Sequence, residues 1–66
     1  MHIHLNGDCL HVSPGCTLEQ LVLQLQLVGK RIAIEINGQI VPRSQFTHLS
    51  LKPDDRVEIV QAIGGG

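Results

Sequence analysis

The chain is predicted to form an α+β domain in which a mixed β-sheet packs against one main helix. Three features carry that expectation. Two stretches of strict apolar alternation are each interrupted by an Asn-Gly pair, one stretch shows helical apolar spacing, and a last alternating segment follows far enough downstream to cross back beside the first. With 66 residues the chain makes one small domain with a modest core.

Met1, Ile3 and Leu5 alternate with His2 and His4, and Leu10 and Val12 alternate with Cys9, His11 and Ser13, so Asn6-Gly7-Asp8 joins two hairpin strands. A turn centred on Asn6-Gly7 pairs His2 with His11; one centred on Gly7-Asp8 pairs His4 with His11. Either register gathers the apolar set on one face and His2, His4 and His11 on the other. Pro14-Gly15 breaks the second strand. Thr17 and Gln20 then fit a capping box, with Glu19 favourably placed in the first turn. Leu18, Leu21, Val22, Leu25 and Val28 form a continuous helical face that Gly29 is expected to terminate. Leu23 and Leu27 fall on the opposite side, where cover by the loop bearing Phe46, Leu49 and Leu51 is favoured over contact with a partner.

Ile32, Ile34 and Ile36 alternate with Ala33 and Glu35, Asn37-Gly38 supplies the second hairpin turn, and Pro42 ends the short strand Gln39-Ile40-Val41. Residues Arg43 to Leu51 lack clean periodicity, with a short helical turn admissible from Ser44 to Leu49. Lys52-Pro53-Asp54-Asp55 reads as a β-turn leading into a strand from Arg56 to about Ala62, with Val57 and Ile59 facing inward and Arg56, Glu58 and Val60 outward. That last strand is expected to pair in parallel with the first, because a connection containing a helix is long enough to cross over. The order of elements is that of the β-grasp, or ubiquitin-like, architecture.

Composition narrows the function. Five Lys and Arg against six Asp and Glu give a net charge of −1, which offers no electrostatic footprint for a nucleic-acid backbone. No apolar run approaches the roughly 18 residues of a membrane span, and Met1-His2-Ile3-His4 does not resemble a secretion signal, so a soluble cytoplasmic protein is expected. In that setting Cys9 and Cys16, without CxxC spacing, read as free thiols rather than a disulfide. The chain has no GxxxxGK phosphate loop, no GxGxxG and no recognisable catalytic triad, which points to a protein substrate rather than an enzyme.

The most informative segment is the end, Gly64-Gly65-Gly66, directly after the apolar run Val57 to Ile63. Glycine lacks a Cβ and passes where any side chain clashes. Three extended glycines reach about 10 Å, enough to carry a terminal carboxylate into another protein's active site while the body stays outside. Residues 1–63 are accordingly read as the folded domain and 64–66 as a flexible tail; a frayed terminus is the bland alternative.

Three blocks span the chain: Leu5-Asn6-Gly7, the central run Arg31 to Arg43 containing Glu35-Ile36-Asn37-Gly38, and the closing run Asp55 to Gly66. Together they resemble the thiamine-biosynthesis sulfur carrier protein family, whose fold is the β-grasp. The resemblance implies that the Gly66 carboxylate is adenylated by a separate ATP-dependent enzyme using Mg, converted to a thiocarboxylate with sulfur from a donor protein, and used by thiazole synthase. Gly65 and Gly66 map to the family's terminal pair, and Gly64 extends it. No cofactor bound stably to the chain itself is implied. The family commonly has Gly-Asp where this chain has Asp54-Asp55, a departure that leaves the carrier role little affected.

Once the tail is considered, Arg56, Glu58, Val60 and Ala62 become the candidate docking face, a partly apolar patch with flanking charges. For His2, His4 and His11 an ordinary solvated face is favoured over a zinc site, which needs suitable ring directions and a fourth ligand. His48 is likewise read as a surface residue. The competing functions are the small, sulfur-carrying subunit of molybdopterin synthase, a noncatalytic β-grasp binding module, and a tag conjugated to protein lysines.

Overall fold

The computed structural model describes residues 1–61. In chain order they form β1 (His2–Leu5), β2 (Asp8–His11), α1 (Leu18–Gln24), β3 (Ile32–Ile36), β4 (Gln39–Val41), a short 3-10 helix (Arg43–Gln45) and β5 (Arg56–Gln61). The five strands make one mixed sheet in the order β2-β1-β5-β3-β4. β5 enters between the two hairpins, parallel to β1 and antiparallel to β3. The expected α+β, β-grasp architecture is therefore the one observed. The expected boundary between residues 63 and 64 lies outside the described residues.

Both hairpins close through Asn-Gly turns. Asn6 and Gly7 have φ of 49° and 88°, Asn37 and Gly38 of 52° and 86°. Positive φ at both central residues is the type I′ requirement, matching the right-handed twist of the flanking strands. The first turn is thus centred on Asn6-Gly7, which sets the register His2↔His11, Ile3↔Leu10, His4↔Cys9. A turn one residue later would have moved every β2 side chain relative to its β1 neighbour.

Helix α1 starts as the sequence requires. Thr17 accepts from the Gln20 amide at 3.2 Å, and Gln20 Oε1 accepts from the Thr17 amide at 2.9 Å. The next two amides, Leu18 and Glu19, donate to the carbonyls of Leu49 and Phe46 at 2.9 and 3.0 Å. The aperiodic loop is thereby tied to the helix N-terminus, where donors otherwise lack partners. The same loop inserts Phe46 and Leu51 into the core beside Ile3, Leu18, Leu21, Val22, Ile34 and Val57.

The helix ends four residues earlier than the apolar spacing suggested. Leu27 donates to the Val22 carbonyl and Gln26 to that of Leu23, both at 3.0 Å, and Gln26 has φ of 59°. That is a Schellman termination with Gln26, not Gly29, in the left-handed position. Gly29, at φ 79°, instead serves the following turn, in which Lys30 donates to the Leu27 carbonyl. Val28 consequently leaves the helical face and is 64% exposed. The expectation of loop cover for Leu23 and Leu27 divides. Leu27 packs against the core, whereas Leu23 stays 66% exposed because the loop lies over the helix N-terminus and not its outer side.

Before β5, Asp55 donates to the Lys52 carbonyl at 3.2 Å, and Asp54 adopts φ of 66°. The turn is of the kind that prefers glycine at its third position. Asp55 reinforces it, accepting from the Lys52 amide at 2.8 Å and from Asn37 Nδ2 at 3.1 Å.

Candidate functional site

Strand β5 leads to the glycine tail, and its neighbours on both sides fix its position. Val57 is only 1% exposed and Ile59 packs partly into the core, so the alternate residues Arg56, Glu58 and Val60 face away from the helix. All three are exposed, Val60 by 65%. Beside them on β3, Glu35 stands opposite Glu58 and Ala33 opposite Val60; on β4, Ile40 stands opposite Glu35 and is 76% exposed. The outer sheet face therefore joins the apolar Val60 and Ile40 to a pair of carboxylates. Ala62, the fourth expected docking residue, and Gly64, Gly65 and Gly66 lie outside the described residues.

Where β5 ends, an open cleft of about 400 Å³ is lined by Arg31, Ile32, Ala33, Arg43 and Val60. Its apolar floor is flanked by two guanidinium-bearing chains, one of which is anchored by an Arg43 Nη2 bond to the Lys30 carbonyl at 3.1 Å. Sequence reasoning did not single out Arg31, Arg43 or Ile40, because their proximity to Val60 depends on β5 inserting beside β3.

Two further groups escaped notice although they sat in recognised turns. Asn6 Oδ1 accepts from the Ile59 amide at 2.9 Å and Asn6 Nδ2 donates to the Ile59 carbonyl at 3.3 Å. Asn37 Oδ1 accepts from the Arg56 amide at 2.9 Å. Each Asn-Gly turn thus also clips β5 through its carboxamide, one at the start of the strand and one near its end. The available signal was the choice of Asn in both turns, where Asp or Gly meets the backbone requirement as well.

The three histidines share one face with Cys9. His2 and His11 ring centroids are 4.9 Å apart, His2 Nδ1 is 3.4 Å from Cys9 Sγ, and His11 Nε2 is 3.1 Å from the Met1 amino nitrogen. Among the described residues no group of three or more His, Cys, Asp or Glu side chains converges as metal ligands. Both cysteines are free thiols, Cys9 exposed and Cys16 buried. No helix among the described residues is long and apolar enough to cross a membrane.

Comparison with known proteins places this geometry in a family. The sulfur carrier protein ThiS of Escherichia coli K12 is 33% identical over 66 residues, which cover the whole of both chains. The thiazole synthase of Magnetococcus marinus is 39% identical over 66 residues, covering all of this chain and 20% of that protein. That of Paramagnetospirillum magneticum is 35% identical over the same length and share. The chain therefore spans one fifth of the length of these two relatives. The crystal structure of a thiamine biosynthesis protein (ThiS) from Geobacter metallireducens superposes with a TM-score of 0.85 at 26% identity, covering both chains completely. Residues 3–66 match the ThiS family, and with nearly the whole length accounted for, the chain belongs to that family.

Proposed function

We propose that the chain is a sulfur carrier for thiamine thiazole formation and that the main-chain carboxylate of Gly66 carries the sulfur. The observation that supports this most is end-to-end similarity to a protein named as a sulfur carrier, with the fold to match. That similarity also favours the thiamine reading over the molybdopterin synthase subunit, which shares the architecture.

A carboxylate resists nucleophilic attack because it is negatively charged and has no good leaving group. A separate adenylating enzyme uses ATP and Mg to convert the Gly66 carboxylate to an acyl-adenylate, releasing pyrophosphate. The outer sulfur of a donor-protein persulfide then attacks the carbonyl and AMP departs, leaving an acyl disulfide. A thiol attacks the donor's sulfur, the S–S bond breaks, the donor leaves as a disulfide with that thiol, and the thiocarboxylate remains on Gly66. Thiazole synthase is the proposed acceptor, a reading supported by two proteins of that name that align with this chain over a fifth of their length. The carrier supplies positioning, while nucleotide binding and transition-state stabilisation belong to its cytoplasmic partners. Arg56, Glu58, Val60 and Ala62 form the proposed docking face, extended by the cleft between Arg31 and Arg43.

The test is intact-mass spectrometry after incubation with the activating enzyme, ATP, Mg and a sulfur source. The wild-type chain gains the mass difference of one oxygen exchanged for sulfur. Deleting Gly65 and Gly66, or appending a residue after Gly66, abolishes the gain while the circular dichroism spectrum is kept. Full sulfur transfer by either altered chain rejects the proposed site.

A further inference from the structure

Strand β5 has two partners along only part of its length. Its pairing with β1 consists of His4↔Arg56 and Leu5↔Val57, after which β1 turns away at Asn6-Gly7. On the other side β3 continues to the end of the strand, through Ala33↔Val60 and Ile32↔Gln61. The backbone groups of Val57 and Ile59 point toward the β1 side. The Val57 carbonyl accepts from the Asn6 amide at 2.9 Å, and the Ile59 amide and carbonyl both meet the Asn6 side chain. A carboxamide has the donor and acceptor of a peptide unit. Asn6 therefore substitutes for the missing β1 residue and extends two-sided support of β5 to Ile59.

We infer that Asn6 is a positioning residue for transfer at the C-terminus: its carboxamide holds the end of β5 and so sets the direction in which residues beyond Gln61 are presented to the adenylating enzyme. The inference rests on the carrier reading above. Without the carboxamide, the segment from Glu58 to Gln61 is held by β3 alone, and a strand paired on one side opens more readily. Opening there widens the range of directions from which the chain leaves Gln61, and a displacement of about 1 Å at a reacting group is enough to lower a transfer rate by up to about 100-fold.

Asn37 provides an internal control. It occupies the same position of the same turn type and clips the same strand, but at Arg56, the end remote from the tail. Replacing either asparagine with glycine keeps a turn that accepts positive φ and removes only the carboxamide. The bonds lost differ, to Ile59 for Asn6 and to Arg56 and Asp55 for Asn37, so the comparison is made per folded molecule: a purely structural role leaves kcat alike in the two variants, and a positioning role lowers it for Asn6 alone.

The experiment compares wild type, Asn6→Gly and Asn37→Gly as the varied substrate of the activating enzyme with ATP and Mg. It measures pyrophosphate release per folded molecule, together with amide hydrogen exchange. Asn6→Gly is expected to lower kcat about tenfold with KM changed less than about twofold, and to accelerate exchange at Ile59. Asn37→Gly is expected to keep the wild-type kcat. Asn6→Asp, which retains an acceptor for the Ile59 amide and loses the donor to its carbonyl, is expected to fall between wild type and Asn6→Gly, and it decides the matter if Asn6→Gly does not fold. Equal losses for the two glycine variants, or a wild-type kcat in Asn6→Gly or Asn6→Asp, overturn the inference alone. A wild-type chain that is never adenylated by a verified active enzyme overturns the carrier reading and the inference with it.

Discussion

Glu35 and Glu58 stand directly opposite each other on β3 and β5, on the sheet face turned away from the helix. Residues so paired have Cβ atoms about 4.5–5.5 Å apart, and like charges at that separation are destabilising. Glu35 is half-buried and Glu58 exposed, so the repulsion is screened but not removed. Replacing Glu35→Gln should raise stability by about 0.5 kcal/mol in urea denaturation at low salt. The gain should shrink as salt is added. A variant no more stable than wild type at low salt would mean that the two carboxylates turn apart.

Val60 contributes little to the core, being 65% exposed, yet it borders the cleft between Arg31 and Arg43. Val60→Asp is therefore expected to change stability by no more than about 0.5 kcal/mol. As a member of the proposed docking face it should raise the KM for the carrier in the activation reaction about tenfold, roughly 1.4 kcal/mol of lost contact. This is the reverse of the pattern expected for Asn6, where kcat falls and KM holds. An unchanged KM in a folded Val60→Asp chain would exclude this face as the docking surface.

Besides Asn6 and Asn37, two of the described residues other than glycine adopt left-handed backbone, Gln26 at φ 59° and Asp54 at φ 66°. Left-handed conformation costs an L-residue about 1–2 kcal/mol, partly offset by the entropy that glycine loses on folding. Gln26→Gly and Asp54→Gly should each stabilise the domain by about 0.5 kcal/mol, raising Tm by a few degrees. Thermal melts followed by circular dichroism check this. A fall in Tm for Gln26→Gly would mean that its side chain makes a contact outweighing the backbone strain.

Much of the fold was legible because its signals are local. Asn6-Gly7 and Asn37-Gly38 announce their turns, Thr17 and Gln20 announce the helix start, and the alternation of Val57 and Ile59 with Glu58 and Val60 assigns the faces of β5. The helix end was misread because a glycine is the usual sign of termination, while here a glutamine took the left-handed position and the glycine served the next turn. The cover of Leu23 was misread because apolar residues show how much surface is available, not which side a loop will cross. That Arg56, Glu58 and Val60 face away from the helix was legible from alternation, whereas Arg31, Arg43 and Ile40 come near Val60 only through pairing between distant strands. Asn6 was recognised for its turn, but its bond to Ile59, 53 residues away, has no local trace.

The central claim is that sulfur is carried by the main-chain carboxylate and by no side chain. Cys9 makes that a sharp question, since it is an exposed thiol 3.4 Å from an imidazole nitrogen and a plausible rival acceptor of sulfur. The most direct measurement is fragmentation mass spectrometry of the sulfur-loaded chain, made with the activating enzyme, ATP, Mg and a sulfur source, to locate the added sulfur. The sulfur should reside on C-terminal fragments ending at Gly66, with the Cys9 fragments unchanged. Sulfur found on Cys9, with Gly66 retaining both oxygens, would contradict the account.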